Sequence, residues 1–182
     1  MKNSTSRRLF MRNSAFAITG LAVLSPVLSN AFVSESPYVG YNPYAESKND
    51  LRTGFFSTNS VTINGTIFEK DGTTPAKNAV VEVWHLSPNS SKYKHRAKLE
   101  TDGEGNYEFI TDFPNKEEGK SARIYFKISD SENSVYTELI LNSSGPYITS
   151  NHWEKNQQLR DKLFPKKEVF LNQSTIQFNI SI

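Results

Sequence analysis

A chain of 182 residues with 21 basic side chains, 19 acidic ones and no cysteine has room for one domain with a real core and too little for two. The missing cysteine excludes disulfides, thiolate metal sites and cysteine nucleophiles. The net charge of +2 misleads: Lys2, Arg7, Arg8 and Arg12 stand in the first 31 residues without an acid, and the 17 basic residues that remain face 19 acidic ones, a net of −2. A mildly acidic body offers no electrostatic case for nucleic acid or an anionic membrane.

The first predicted element is a signal peptide over residues 1–31. Ser6-Arg7-Arg8-Leu9-Phe10-Met11-Arg12 precedes a moderately apolar run, Ala15 to Leu28. That run is too short to span a membrane and has the length of a signal-peptide core. Ser29-Asn30-Ala31 offers the small residues that a signal peptidase needs. The paired Arg7 and Arg8 resemble the twin-arginine export signal, and every fixed position of that pattern matches in type. An ordinary secretory signal with a chance arginine pair is the alternative. The expectation is a product in the bacterial periplasm or outside the cell, with no stable membrane anchor once the signal is cleaved. A twin-arginine route serves proteins that fold before export, many of them loaded with a cofactor first.

Residues 32–59 read as an irregular N-terminal arm: Pro37, Gly40, Pro43 and Gly54 interrupt it and no period lasts. Tyr38, Tyr41 and Tyr44 read as anchors of that arm. Residues 60–182 then read as the folded domain, with short strands in quick succession. Strands are predicted over Val61 to Phe68 and Ala79 to Leu86. Lys92 to Thr101 is a polar strand or extended loop. Tyr107 to Thr111, Ser121 to Ser129 and Val135 to Leu141 follow, and Thr175 to Ile182 closes the sheet. Glu154 to Phe164 reads as one short helix stopped at Pro165. Asp102-Gly103-Glu104-Gly105 marks a hairpin-type turn. About seven or more short strands with turns between them imply an all-β sandwich.

The stretch from Ser121 to Ser129 is the centre of this pattern. Ile124, Phe126 and Ile128 alternate with Arg123, Tyr125 and Lys127. Successive side chains of a strand take opposite faces, so the apolar set is the core face and an arginine and a tyrosine lie side by side on the other.

Two motifs carry a family resemblance: Ala79-Val80-Val81-Glu82-Val83-Trp84-His85, and Thr101-Asp102-Gly103-Glu104-Gly105-Asn106-Tyr107-Glu108-Phe109-Ile110-Thr111. Gly65-Thr66-Ile67 and Pro75 precede the first motif, Tyr93 lies between the two, and Pro114 follows the second. This order and spacing resembles the core of the intradiol ring-cleavage dioxygenases, the catechol and protocatechuate enzymes, over about residues 60–182. The resemblance implies a Greek-key β-sandwich of the prealbumin-like kind. It also implies a non-haem ferric iron, held by two tyrosines and two histidines, that activates a catechol for attack by oxygen. Ferric iron is a hard cation suited to tyrosinate oxygens.

The resemblance also marks where this sequence departs. Tyr93 matches the first tyrosine ligand. The second tyrosine position falls at Glu117, and the histidine pair falls at Arg123 and Tyr125. An arginine that orients substrate falls at Lys120. Arginine has no acceptor and keeps its proton in proteins, so it cannot ligate. The candidate pocket is Tyr93, His95, Glu117, Arg123 and Tyr125. Arg123 is expected as its centre, paired with Glu117 and hydrogen-bonded to the two tyrosines. His95, two residues beyond Tyr93, offers a rebuilt metal site with Tyr93 and Tyr125. His85 reads as structural, and His152-Trp153 as packing in a loop. Three readings follow. The first, and preferred, is a degenerate iron site without catalysis or cofactor, holding a small aromatic ligand or a partner in the old pocket. The second is an active Fe(III) dioxygenase with an unusual ligand set. The third is a structural envelope sandwich.

Overall fold

Strand β1 (Ser60–Phe68) is the spine of one sheet, with Val61, Ile63 and Ile67 turned inward and Thr62, Asn64 and Thr66 on the other face. The computed structural model describes residues 36–54, 59–171 and 173–182, so the predicted leader with Arg7 and Arg8 lies outside the described residues. On one side β1 pairs antiparallel with β4 (Asn106–Asp112). On its other side it pairs parallel with β9 (Gln173–Gln177) and then with β10 (Ile180–Ser181). The edge strand β8 (Lys166–Phe170) pairs with β9.

The predicted closing strand from Thr175 to Ile182 is therefore two strands with a break at Phe178-Asn179. Gly65 explains the break. A Cβ built there would stand 1.9 Å from the Phe178 carbonyl oxygen, so only glycine admits this crossing. The Phe178 amide donates to the Asn64 carbonyl at 2.7 Å, and the Tyr107 hydroxyl donates to the Phe178 carbonyl at 2.6 Å.

The second sheet runs in the order β3 (His95–Glu100), β2 (Val80–His85), β5 (Ala122–Ser129), β6 (Ser134–Asn142), β7 (Gly145–Ile148). All its pairings are antiparallel. Val81, Val83, Ile124, Phe126, Ile128 and Leu139 point inward from it and meet Ile63, Ile67, Phe109, Ile176 and Phe178 of the first sheet in one core. Ile124, Phe126 and Ile128 are fully buried, each worth about 1.5–3 kcal/mol relative to exposure. The fold is thus strand-rich and two-layered, as the alternation predicts.

The one predicted helix from Glu154 to Phe164 is two short pieces. Helix α1 (Ser150–Lys155) is capped by the Thr149 side chain, which accepts from the His152 amide. A 3-10 turn over Gln157–Lys162 follows. The Asn156 side chain separates them: its amide donates to the His152 carbonyl at 2.8 Å and its oxygen accepts from the Ser181 amide at 2.7 Å. Polar satisfaction from the sheet, not helix propensity, sets this break. No helix among the described residues is long and apolar enough to cross a membrane.

The arm crosses both sheets. Ser47 bridges Lys98 and Asp50 bridges Ile110, while Leu51 is buried in the core.

Candidate functional site

The outer face of the second sheet carries the chemistry. Register places Trp84 of β2 beside Tyr125 of β5 and Glu138 of β6, with Glu82, Lys127 and Tyr136 in the next row. Tyr93 enters from the loop before β3. Glu117 and Lys120 enter from the turn before β5, where the Lys120 amide donates to the Glu117 carbonyl.

Glu117 is the centre. Its Oε1 accepts from the Tyr93 hydroxyl at 2.6 Å and from the Tyr125 hydroxyl at 3.0 Å. Its Oε2 accepts from Lys120 Nζ at 2.6 Å. These donors, Lys120 foremost, hold the Glu117 carboxyl down to about 2. Burial, then the Glu117 charge, pushes the Tyr93 phenol up to about 12 and the Tyr125 phenol up as well. Both tyrosines are phenols committed as donors.

Arg123 is not the expected centre. Its guanidinium donates to Glu138 Oε2 at 2.7 Å and, through Nε, to the Ser121 carbonyl at 3.3 Å. The strand parity put Arg123 on the correct face; the carboxylate that it meets comes from the neighbouring strand, a diagonal contact that only the β5–β6 register supplies. Lys127 repeats the motif one row on, 3.0 Å from Glu82 and donating to the Tyr41 hydroxyl at 2.8 Å.

His95 leaves the pocket altogether. Tyr93 precedes β3, so the alternation that starts at His95 does not carry back to it. His95 turns into the sandwich, with Nδ1 2.9 Å from Ser87 Oγ and Nε2 3.0 Å from Asp112 Oδ2. It stacks on His85, whose Nε2 lies 2.6 Å from Thr111 Oγ1. These contacts bridge the two sheets at one end of the core. Burial pushes His85 down to about 3, so it is a neutral structural group. His152 sits on α1 and not in a loop. It is fully buried, with Nδ1 2.8 Å from Thr137 Oγ1 and the ring against Phe178.

The arm roofs this face. Tyr38 stacks on Tyr125 with ring centroids 4.8 Å apart, and Tyr125 stacks in turn on Trp84 at 5.6 Å. Trp84 Nε1 donates to the Val39 carbonyl at 3.0 Å. Gly40, at φ +83°, lies so close that a Cβ would stand 2.2 Å from the Tyr93 ring. Tyr38 and Tyr41 are thus the anchors expected of the arm, whereas Tyr44 is 90% exposed. Beside the roof an open cleft of about 580 Å³ remains, lined by Leu86, Asn89, Ser90, Tyr93, Asn115 and Glu117 among others. The sequence reading missed Glu138 and the stacking role of Trp84. The alternation of Tyr136 and Glu138 in β6 was the signal available for the first.

The donor set does not fit ferric iron. No group of three His, Cys, Asp or Glu side chains that would hold a metal occurs among the described residues. All three histidines are turned elsewhere. A trivalent ion at Glu117 would face the Lys120 ammonium and would have to displace the Tyr93 and Tyr125 hydroxyls from the carboxylate oxygen that they share.

No family model matches the sequence, and no curated protein matches it. Solved structures do. The dioxygenase domain of a dioxygenase–carbohydrate-binding protein fusion from Streptomyces sp. SirexAA-E superposes with a TM-score of 0.60 at 16% identity, over 81% of this chain and 94% of that one. An intradiol ring-cleavage dioxygenase from Tetranychus urticae gives 0.59 at 14% identity, over 81% and 91%. The 3-chlorocatechol 1,2-dioxygenase of Rhodococcus opacus 1CP gives 0.58 at 13% identity, over 97% and 89%. At these identities the likeness is one of fold: this chain is a two-sheet, strand-rich domain that resembles the fold of the intradiol ring-cleavage dioxygenases.

Proposed function

We propose that this protein is an exported, non-catalytic relative of the intradiol dioxygenases that binds a small aromatic ligand in the cleft beside Tyr93 and Glu117. One observation carries the reading. Glu117 takes the hydroxyls of Tyr93 and Tyr125 on one oxygen and Lys120 on the other. Protein groups thus satisfy one another where the family resemblance puts a metal ligand. The site is held together by charge-assisted hydrogen bonds and needs no cofactor to neutralise it. What it offers a visitor is the Tyr93 ring and a charged rim of Lys116, Glu117 and Glu118, a combination suited to a flat ring with polar substituents.

The test is to purify the protein, measure iron, record the visible spectrum and follow oxygen uptake with catechol. The expected result is sub-stoichiometric iron, no tyrosinate charge-transfer band and no oxygen uptake, with catechol perturbing the tyrosine absorbance in the wild type and not in Glu117→Ala. Stoichiometric iron with oxygen consumption overturns the reading in favour of a ferric dioxygenase. Absence of any catechol-induced change removes the ligand half of the proposal.

A further inference from the structure

The edge strand β8 presents a surface that the site does not use. Among the described residues, half of the strongly exposed large hydrophobic side chains fall within residues 164–171: Phe164 is 59% exposed, Val169 64%, Phe170 74% and Leu171 81%. Leu171, at the turn into β9, also holds a positive φ of 45°, which costs a non-glycine residue energy. Every residue of β8 is exposed, and β9 is its one sheet neighbour. An exposed edge of this kind, with no strand hydrogen-bonded to its outer side among the described residues, is a template for another strand.

The geometry points to a second copy of this chain as the occupant, paired antiparallel through β8. Phe170 faces Gln173 across the turn. In an antiparallel ladder the bonded pairs alternate, so Lys166, Glu168 and Phe170 exchange main-chain bonds with β9. The N–H and C=O groups of Lys167 and Val169 then face the free edge. A two-fold pair must set outward residues against outward residues, which leaves a few registers. Centring it on Glu168 puts two carboxylates face to face at close range. Centring it on Lys167 sets Lys166 opposite the partner's Glu168, twice, and Phe164 opposite the partner's Phe170, twice. Both kinds of pair fall on the same face and at the closer, non-hydrogen-bonded positions. Leu163 and Phe164 form a bend in the single chain, and Phe164 takes its place opposite Phe170 by straightening it, which the extended preference of a residue before proline favours.

The cost of this register is one Lys167–Lys167 juxtaposition at the wider, hydrogen-bonded position, and the amide that Pro165 lacks. Lysines on an edge ordinarily deter unselective pairing; here Lys166 is answered by Glu168 of the same strand in the other copy. Self-complementarity of charge is what singles out a second copy over a different protein or a lipid surface, neither of which needs the acid and the base two residues apart on one short strand. One strand per subunit is a small interface, so the dimer is weak and concentration-dependent.

Sedimentation velocity of the full chain over a range of concentrations tests this. The expected result is a monomer–dimer equilibrium. Glu168→Lys sets lysine against Lys166 in two places and should raise the dissociation constant about tenfold or more. The double variant Lys166→Glu/Glu168→Lys restores opposite charges and should return it to within about threefold of the wild type. All of these side chains are exposed, and circular dichroism checks that the variants keep the fold. A chain that stays monomeric at every concentration overturns the proposal. So does a dimer indifferent to Glu168→Lys, or a double variant that fails to recover.

Discussion

Arg123 and Glu138 form an ion pair of 2.7 Å across β5 and β6, with side chains 18% and 11% exposed. Neither charge has ready access to water, so each depends on the other. Arg123→Ala should destabilise the protein by about 2 kcal/mol, because Glu138 is left partly buried without its donor. The midpoint of urea unfolding measures this. Removing Glu138 as well should cost less than the sum of the two single changes, whereas Glu117→Ala combined with Arg123→Ala should be close to additive, since Glu117 is held by Lys120.

Stability should fall on mild acidification. Burial lowers His152 from 6.5 to about 4 and His85 from 6.5 to about 3. The folded state therefore keeps both rings neutral while the unfolded chain takes up protons below 6.5. Stability is full above that pH. It declines as pH drops toward 4, and for His85 further toward 3, by about 1.4 kcal/mol per pH unit for each ring inside its window. Urea unfolding across this range checks the slope. His152→Gln should make it shallower between pH 6.5 and 4, and an unchanged slope would refute the assignment.

The roof over the aromatic stack should be separable from the fold. Tyr38→Ala removes one stacked ring, worth about 1 kcal/mol, and opens a path to Trp84, now 2% exposed. In a Trp153→Phe background, where Trp84 is the remaining tryptophan, acrylamide should quench fluorescence markedly faster once Tyr38 is gone. Equal quenching with and without Tyr38 would mean that other groups shield Trp84.

Ile124 is fully buried between the sheets. Ile124→Ala should cost about 2–5 kcal/mol in urea unfolding, since the rigid strands around it limit collapse of the cavity.

For export, Arg7→Lys together with Arg8→Lys should leave precursor in the cytoplasm if the pair is read as a twin-arginine signal. Fractionation and immunoblotting measure it. Normal amounts of exported protein would assign the leader to the general secretory route.

The fold was legible where a single strand contained its own evidence. Ile124, Phe126 and Ile128 alternate strictly and are the core, and the valines of β2 read the same way. It was illegible where the cause lies elsewhere in the chain. β8 shows no alternation because neither face is covered. The break at Phe178-Asn179 depends on the absence of a side chain at Gly65, more than a hundred residues upstream. The site divides along the same line. Parity alone put Arg123 and Tyr125 on one face, and the family resemblance put Glu117 near them. The partner of Arg123 required strand register. His95 was misplaced because parity was carried across a loop, from Tyr93 into a strand that begins two residues later.

The parallel seat of β9 and β10 on β1 has a kinetic consequence. Thr66 and Asn179, joined when the Thr66 amide donates to the Asn179 side chain, are 113 residues apart in sequence. Loop closure over that distance must precede any reward from the contact, so folding belongs to the slow, millisecond-to-second regime of non-local β topologies. Until β9 arrives, β1 is paired with β4 alone, and its far edge, with Ile63 and Ile67 in the strand, stays uncovered. The interval before closure is when this chain is most open to aggregation. A substitution that weakens the Gly65–Phe178 crossing would lengthen that interval even where the finished structure tolerates it.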